Sequence, residues 1–187
     1  MTGGADPAVS LQIAHDTATA LVNRLRESDD PAVVDRLLAY TRDHGVSELA
    51  ELWANAPAHS LPGALWRLYV VHASIIKDEV FAATAYVTGA MNESTADAVV
   101  AGAPQTTTPA DIRELADEIL RGAFRGDMGD ALDRAAAYCR IEARGVTDII
   151  GRSELGNSQL LQRALTLTDF AADFAACAKL DRSGKLL

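Results

Sequence analysis

Residues 60–90, SLPGALWRLYVVHASIIKDEVFAATAYVTGA, constrain the fold more than any other segment because most of them are apolar. Their pattern predicts two helices that meet at Lys77-Asp78, and the first, residues 61–76, is apolar on nearly every side. Such a helix belongs in a membrane or at the centre of a packed helical domain. Residues 61–76 are too few to cross a bilayer and include Arg67 and His72. We therefore predict an all-α fold built around this central helix.

The rest of the chain predicts more helices and no strand. Apolar residues recur at three- and four-residue steps, and no segment combines alternating polarity with hairpin turns. We predict a single domain of seven or eight helices over residues 7–180, mostly antiparallel because the connections are short. Residues 1–6 are expected to be a mobile tail and 181–187 a C-terminal tail, with an irregular connector at about 91–107.

Helix boundaries follow from capping residues. Ser60, Asp78 and Thr108 each precede an apolar periodic run and are typical N-cap residues, and either Asn157 or Ser158 starts the last helix. Gly145 lies where a helix that starts near residue 127 is expected to end, because glycine commonly follows the last turn of a helix.

Charge and cysteine content exclude several classes of function. The net charge of −9 over 187 residues disfavours binding to nucleic acid and to anionic membranes. Cys139 and Cys177 are too few for a disulfide framework, and we expect both to be buried small hydrophobic residues. The first ten residues do not resemble a signal peptide, so we expect a cytoplasmic protein.

Known catalytic and cofactor motifs are missing from the sequence. None of the four histidines follows a glutamate by three residues, and neither HExxH nor CxxC occurs, so no metal site is predicted. Glycine-rich nucleotide loops and a nucleophile elbow are also missing. The sequence therefore predicts no cofactor and leans against an enzyme.

The polar and aromatic residues of the central helix are the candidate ligand-binding residues. Trp66, Arg67, Tyr69 and His72 lie within two turns of an otherwise apolar helix. One hypothesis is that Arg67 and His72 reach a pocket and hold an anionic ligand, in which case Arg67 would lack an internal carboxylate partner. The alternative, which we favour, is a structural ion pair for Arg67 and a hydrogen-bonded core imidazole for His72.

Two further features have both a structural and a functional interpretation. Asp169 and Asp173 are one helical turn apart on the last predicted helix and could perform acid–base chemistry or hold a cation. We favour plain solvated charge for this pair. Trp53 lies near a helix end and is either a core residue or an exposed contact.

Four short segments carry a resemblance to known proteins. They are ELW at 51–53, SLPGALWRLY at 60–69, LRGAFRGD at 120–127 and AAYCR at 136–140. On these residues, which span about half the chain, the sequence resembles an uncharacterised actinobacterial family of all-α proteins. The resemblance implies a single helical domain and, since no activity is established for that family, it implies no function.

Three functional hypotheses follow. The first is a helical protein–protein interaction domain or regulatory accessory protein, with self-association into a homodimer as one form of it. The alternative is a sensor-like small-molecule-binding protein with a pocket beside the central helix. The third is an enzyme whose site is assembled from residues distant in sequence, without a recognisable motif.

Overall fold

The computed structural model describes residues 7–44, 48–91, 96–102, 107–152 and 157–186, and these form nine helices and no strand. The all-α prediction is confirmed. The helices are α1 (Pro7–Glu27), α2 (Val33–His44), α3 (Glu48–Trp53), α4 (Leu61–Lys77), α5 (Glu79–Met91), α6 (Ala96–Ala101), α7 (Pro109–Arg125), α8 (Met128–Gly151) and α9 (Ser158–Arg182). None of these described helices is long and apolar enough to cross a membrane.

Helix α4 is central, as predicted from its apolar character. Leu61, Leu65, Leu68 and Ile75 are each at most 2% exposed, and α4 packs against α1, α3, α7 and α9. Helix α8 has an equally buried position, because α5, α6, α7 and α9 all pack against it. One continuous core extends from α1 to Leu186, which is 2% exposed although residues 181–187 were expected to be a tail.

The predicted N-caps are confirmed where they can be checked by hydrogen bonds. Ser60 Oγ accepts the backbone N–H of Gly63 at 3.2 Å, and Asp78 Oδ1 accepts that of Phe81 at 3.0 Å. Thr108 forms a reciprocal capping box at the start of α7, and Asn157 caps α9. Each cap satisfies backbone donors that have no partner inside the helix.

The predicted helix end at Gly145 is wrong, since α8 continues through it to Gly151. Helix α5 crosses α8 at this point so closely that a Cβ atom on Gly145 would lie 1.7 Å from the carbonyl oxygen of Ala85. Gly89 makes the reciprocal approach, since its Cβ would lie 1.9 Å from the oxygen of Ile141. Gly145 therefore allows two helices to cross closely and does not mark the end of a helix.

The connector predicted at 91–107 contains a helix, α6, over Ala96–Ala101. Two arginines of α8 hold α6: Arg140 Nε donates to Asp97 at 3.0 Å, and Arg134 Nε donates to the carbonyl of Ala101 at 3.2 Å. Tertiary contacts, which local sequence does not show, thus support this short helix. Residues 92–95 and 103–106 of the connector, and the predicted tail at 1–6, lie outside the described residues.

Candidate functional site

An open groove of about 740 Å³ lies between α4 and the first half of α9, with Phe81 of α5 at one end. We call it the α4–α9 groove. Its volume lies within the range of about 300–1,000 Å³ that is typical of small-molecule sites. Of the described residues, those of α4 that line it lie between Val70 and Lys77, and those of α9 lie between Gln159 and Phe170.

The two helices run antiparallel along the groove. Near the start of α4, Arg67 Nε donates to Asp173 Oδ2 of α9 at 2.8 Å. Beyond the end of α4, the ring of Phe81 lies 5.1 Å from the guanidinium carbon of Arg163, which precedes Asp173 by almost three helical turns. The groove therefore has one end near Arg67 and the other near Lys77.

The end nearer Arg67 is apolar. It is formed by Val70 and Ala73 of α4 and by Leu167 and Phe170 of α9. Val70 and Ala73 are three residues apart and so share one face of α4, which is turned towards α9. Leu167 is 6% exposed, and the other three are half-buried.

The opposite end is richer in polar groups, although Phe81 and Leu160 also line the groove there. Lys77 and Asp78 lie on the α4–α5 side, and Gln159, Gln162 and Arg163 lie on α9. Lys77 and both glutamines are exposed, and Arg163 is half-buried. Gln162 Nε2 lies 3.5 Å from Thr166 Oγ1, which is a long contact. This end therefore offers amide donors and acceptors, together with two cations, next to the apolar end.

Arg163 is held by the protein itself. Its Nε donates to Glu142 Oε1 of α8 at 2.9 Å, and its guanidinium stacks over Phe81. Glu142 is only 1% exposed, and a buried carboxylate is costly unless it is paired. Neutralising Glu142 is thus the first role of Arg163, and the pair fixes part of the groove wall.

Lys77 differs from Arg163 in having no carboxylate partner among the described residues. The nearest acidic residue in sequence is Asp78, whose Oδ1 accepts the backbone N–H of Phe81 as the N-cap of α5. Lys77 is therefore an exposed cation at the edge of the groove that makes no ion pair with the part of the chain described.

Arg67 is paired inside the protein. Besides Asp173, it contacts the carbonyl of Gly63, to which Nη1 donates at 3.0 Å, and its guanidinium lies 5.4 Å from the centre of the Phe170 ring. A ligand-binding Arg67 was expected to lack an internal carboxylate, and Asp173 supplies one. This geometry is that of a structural ion pair, the alternative that we favoured for Arg67 from the sequence.

Asp173 is more than a solvated charge. Its Oδ1 lies 3.1 Å from Nε2 of His59, while its Oδ2 accepts from Arg67, so two bases share one carboxylate. Cys177, one turn further along α9, donates its thiol to the carbonyl of Ala58 at 3.4 Å. Together these contacts fasten the segment before α4 to α9.

The other candidate residues of α4 point in different directions. His72 is 4% exposed, and its Nε2 lies 2.8 Å from Asp117 Oδ1 of α7, inside the core. Tyr69 is 6% exposed, packs between the rings of Trp53 and Phe124, and its burial raises its pKa to about 12. Trp66 is half-buried on the groove face of α4, one turn before Val70.

The four predicted residues therefore do not converge on one cavity, and their role in ligand binding stays a prediction.

Of the two alternatives for Trp53, the structure shows a core residue, since Trp53 is 1% exposed and its Nε1 donates to Thr17 Oγ1 at 3.1 Å.

Neither the groove nor the Arg163–Glu142 ion pair was predicted from the sequence. Arg163 is 21 residues from Glu142, and no spacing rule links them. One signal was available: Glu142 follows Ala135, Tyr138 and Cys139 at helical spacing on an apolar face, which indicates a buried carboxylate that needs a basic partner.

No known protein family, curated protein or solved structure matches this chain. The resemblance to an actinobacterial family therefore stays a prediction, and functional inference depends on the groove.

Among the described residues, no three His, Cys, Asp or Glu side chains are placed to hold one metal ion.

Proposed function

We propose that this protein binds a small apolar molecule in the α4–α9 groove. The observation that carries the proposal is a groove of about 740 Å³ that combines an apolar end with a polar one beside the central helix. Ligand sites typically have this composition: mostly apolar walls for affinity and a few polar groups for orientation.

The shape of the groove is supported independently of any ligand. Arg67–Asp173 ties α4 to α9 at one end, and Arg163 ties α9 to Glu142 of α8 at the other. Both pairs are largely shielded from water, and together they fix the position of α9 relative to α4 and α8. Binding then requires little rearrangement, which lowers its entropic cost.

Titration with Nile red, a neutral apolar dye, tests the proposal. We expect its fluorescence to rise and shift to the blue with the wild-type protein. Ala73→Glu places a charge in the apolar end and should weaken binding by about tenfold or more, since a charge must be desolvated there. Ala172→Glu is the matched control, because Ala172 is an exposed alanine of α9 outside the groove.

Circular dichroism establishes that both variants remain folded. The proposal fails if the wild-type protein does not bind the dye, or if the two variants bind it equally well.

A second candidate function, protein–protein contact, is supported by the outer face of α5. Val80, Val87 and Met91 are 67%, 37% and 80% exposed and lie along one side of this helix. The Thr84 hydroxyl donates to the Val80 carbonyl, and the Thr88 hydroxyl to the Thr84 carbonyl, so both hydroxyls are satisfied within the helix. The face therefore carries no charge and exposes mainly apolar side chains.

A second copy of this chain is the partner that such a face fits. Residues 80–91 carry no charge, although the chain as a whole has a net charge of −9. Two copies can approach here without the repulsion that other surfaces would cause.

Sedimentation equilibrium should show a concentration-dependent dimer that Met91→Glu abolishes. Val99→Glu should leave it intact, because Val99 is similarly exposed, at 75%, but lies on α6. A wild-type monomer at all concentrations would exclude this candidate.

A further inference from the structure

The polarity of the α4–α9 groove changes along its length, and this restricts what can bind there. Because α4 and α9 are antiparallel and Arg67 contacts Asp173, Val70 lies at about the level of Phe170 at the apolar end, and Lys77 lies at about the level of Arg163 at the polar end. The α9 side extends over residues 159–170, which corresponds to about 16 Å of helix at 1.5 Å per residue. A molecule with an apolar body and one polar end matches this change in polarity along the groove.

The exposed cation Lys77 at the polar end favours an anionic head group. Of the described residues, four with charged side chains lie there: Lys77, Asp78, Arg163 and, behind Arg163, Glu142. Arg163 and Glu142 neutralise each other. The Asp78 carboxylate caps α5, where it accepts the N–H of Phe81. Lys77 alone has no partner among the described residues, so it can pair with a ligand.

The same four charges favour a head group with a single negative charge. Asp78 follows Lys77 directly in the chain, and a dianion such as a phosphate would be repelled by it more strongly than a carboxylate. The side-chain amides of Gln159 and Gln162 supply neutral donors for the carboxylate oxygens.

We infer that the α4–α9 groove takes an amphiphile that consists of an alkyl or aryl body and one carboxylate, with the carboxylate paired to Lys77. The inference rests on the proposed function and adds the chemical class of the ligand. The body lies between Val70 and Phe170, and the head group lies between Lys77 and the two glutamines.

Displacement of bound Nile red by octanoate and by octanol tests the inference, because these molecules share the alkyl chain and differ in the charged group. The wild-type protein should prefer octanoate by roughly two- to fivefold, the range expected for one exposed ion pair. Lys77→Met, which keeps the apolar stem, should abolish this preference. Lys179→Met is the matched control, since Lys179 is an exposed lysine elsewhere on α9.

The outcomes separate the two proposals. If Nile red does not bind in the groove, the proposed function fails and the ligand class fails with it. If the dye binds but octanoate and octanol displace it equally, or if Lys77→Met retains the preference for octanoate, the proposed function stands and the carboxylate is excluded. If the Lys179→Met control loses the preference as well, the effect comes from net charge and Lys77 is not the head-group contact.

Discussion

Two carboxylates, Asp117 and Glu142, lie inside the protein with exposures of 5% and 1%. Each one faces a base: His72 for Asp117, and Arg163 for Glu142. Removing one member of a buried pair leaves the other polar group desolvated and without compensation, which costs more than the pair contributes to stability. These contacts between α4 and α7 and between α8 and α9 therefore help to specify how the helices pack.

The Asp117–His72 contact can be tested by paired substitutions. Asp117→Ala should lower the free energy of unfolding by about 3 kcal/mol, because His72 loses its hydrogen-bond partner in the core. Asp117→Asn keeps an acceptor oxygen of similar shape and should cost about 1 kcal/mol. Urea denaturation followed by circular dichroism measures both values. Equal losses for the two variants would show that the hydrogen bond to His72 contributes little.

The buried cysteines give the protein a specific weakness at alkaline pH. Cys139 and Cys177 are buried, as the sequence predicted. Burial raises the pKa of Cys177 from 9.0 to about 11, and it raises the pKa of Cys139 well above its usual value. The folded state thus holds these protons more tightly than the unfolded state. The contribution of the protonated thiols to the free energy of unfolding is fully present below pH 9 and is lost as the pH rises through 11.

Cys177→Ala should make the decline in stability between pH 9 and 11 shallower by roughly 2 kcal/mol. Urea denaturation of the wild-type protein and the variant at a series of pH values measures this difference. The change in slope is the readout, because the variant also has a lower stability at neutral pH owing to the cavity that it creates. Parallel curves would contradict the assignment to Cys177.

At the scale of elements, helix starts were predictable and one helix end was not. The caps at Ser60, Thr108 and Asn157 depend on residues within one turn, so the local sequence contains the information. Gly145 illustrates the opposite case, since glycine occurs both after helix ends and where two backbones cross closely. Only the position of α5 against α8 distinguishes these roles.

Two glycines of α8 provide a matched test of the crossing. Gly145→Ala should destabilise the protein by about 3 kcal/mol or more, because its Cβ would overlap the Ala85 carbonyl and the helices would have to separate. Gly151→Ala has nothing within 4 Å of its Cβ and should stabilise the protein by about 0.5 kcal/mol through helix propensity. Thermal and urea denaturation measure both. A neutral Gly145→Ala would show that the crossing can open without cost.

At the scale of the whole molecule, the groove depends on two segments that are distant in sequence. Residues 70–81 and 159–170 form its walls, and neither segment contains a motif that indicates a groove between them. The sequence therefore predicted a central helix correctly and placed candidate residues on it. It could not show that Arg67 meets Asp173 or that α9 stands away from α4 beyond that contact, because pairing over 106 positions is a property of the packed fold.

The continuous core also predicts how the protein unfolds. One cluster of buried residues joins α1, α4, α7, α8 and α9 and includes Leu186 near the C-terminus. Since no group of helices has a separate core of comparable size among the described residues, the helices should lose their structure together.

Tryptophan fluorescence and far-ultraviolet circular dichroism test this cooperativity, because they report on different parts of the chain. Trp53 and Trp66 lie in α3 and α4, whereas circular dichroism reports on all helices. The two urea transitions should coincide, and Leu186→Ala should lower both midpoints equally, although residue 186 is far in sequence from either tryptophan. If Leu186→Ala shifted only the circular dichroism transition, α9 would unfold separately, and the α4–α9 groove would have a wall that can detach without the rest of the molecule unfolding.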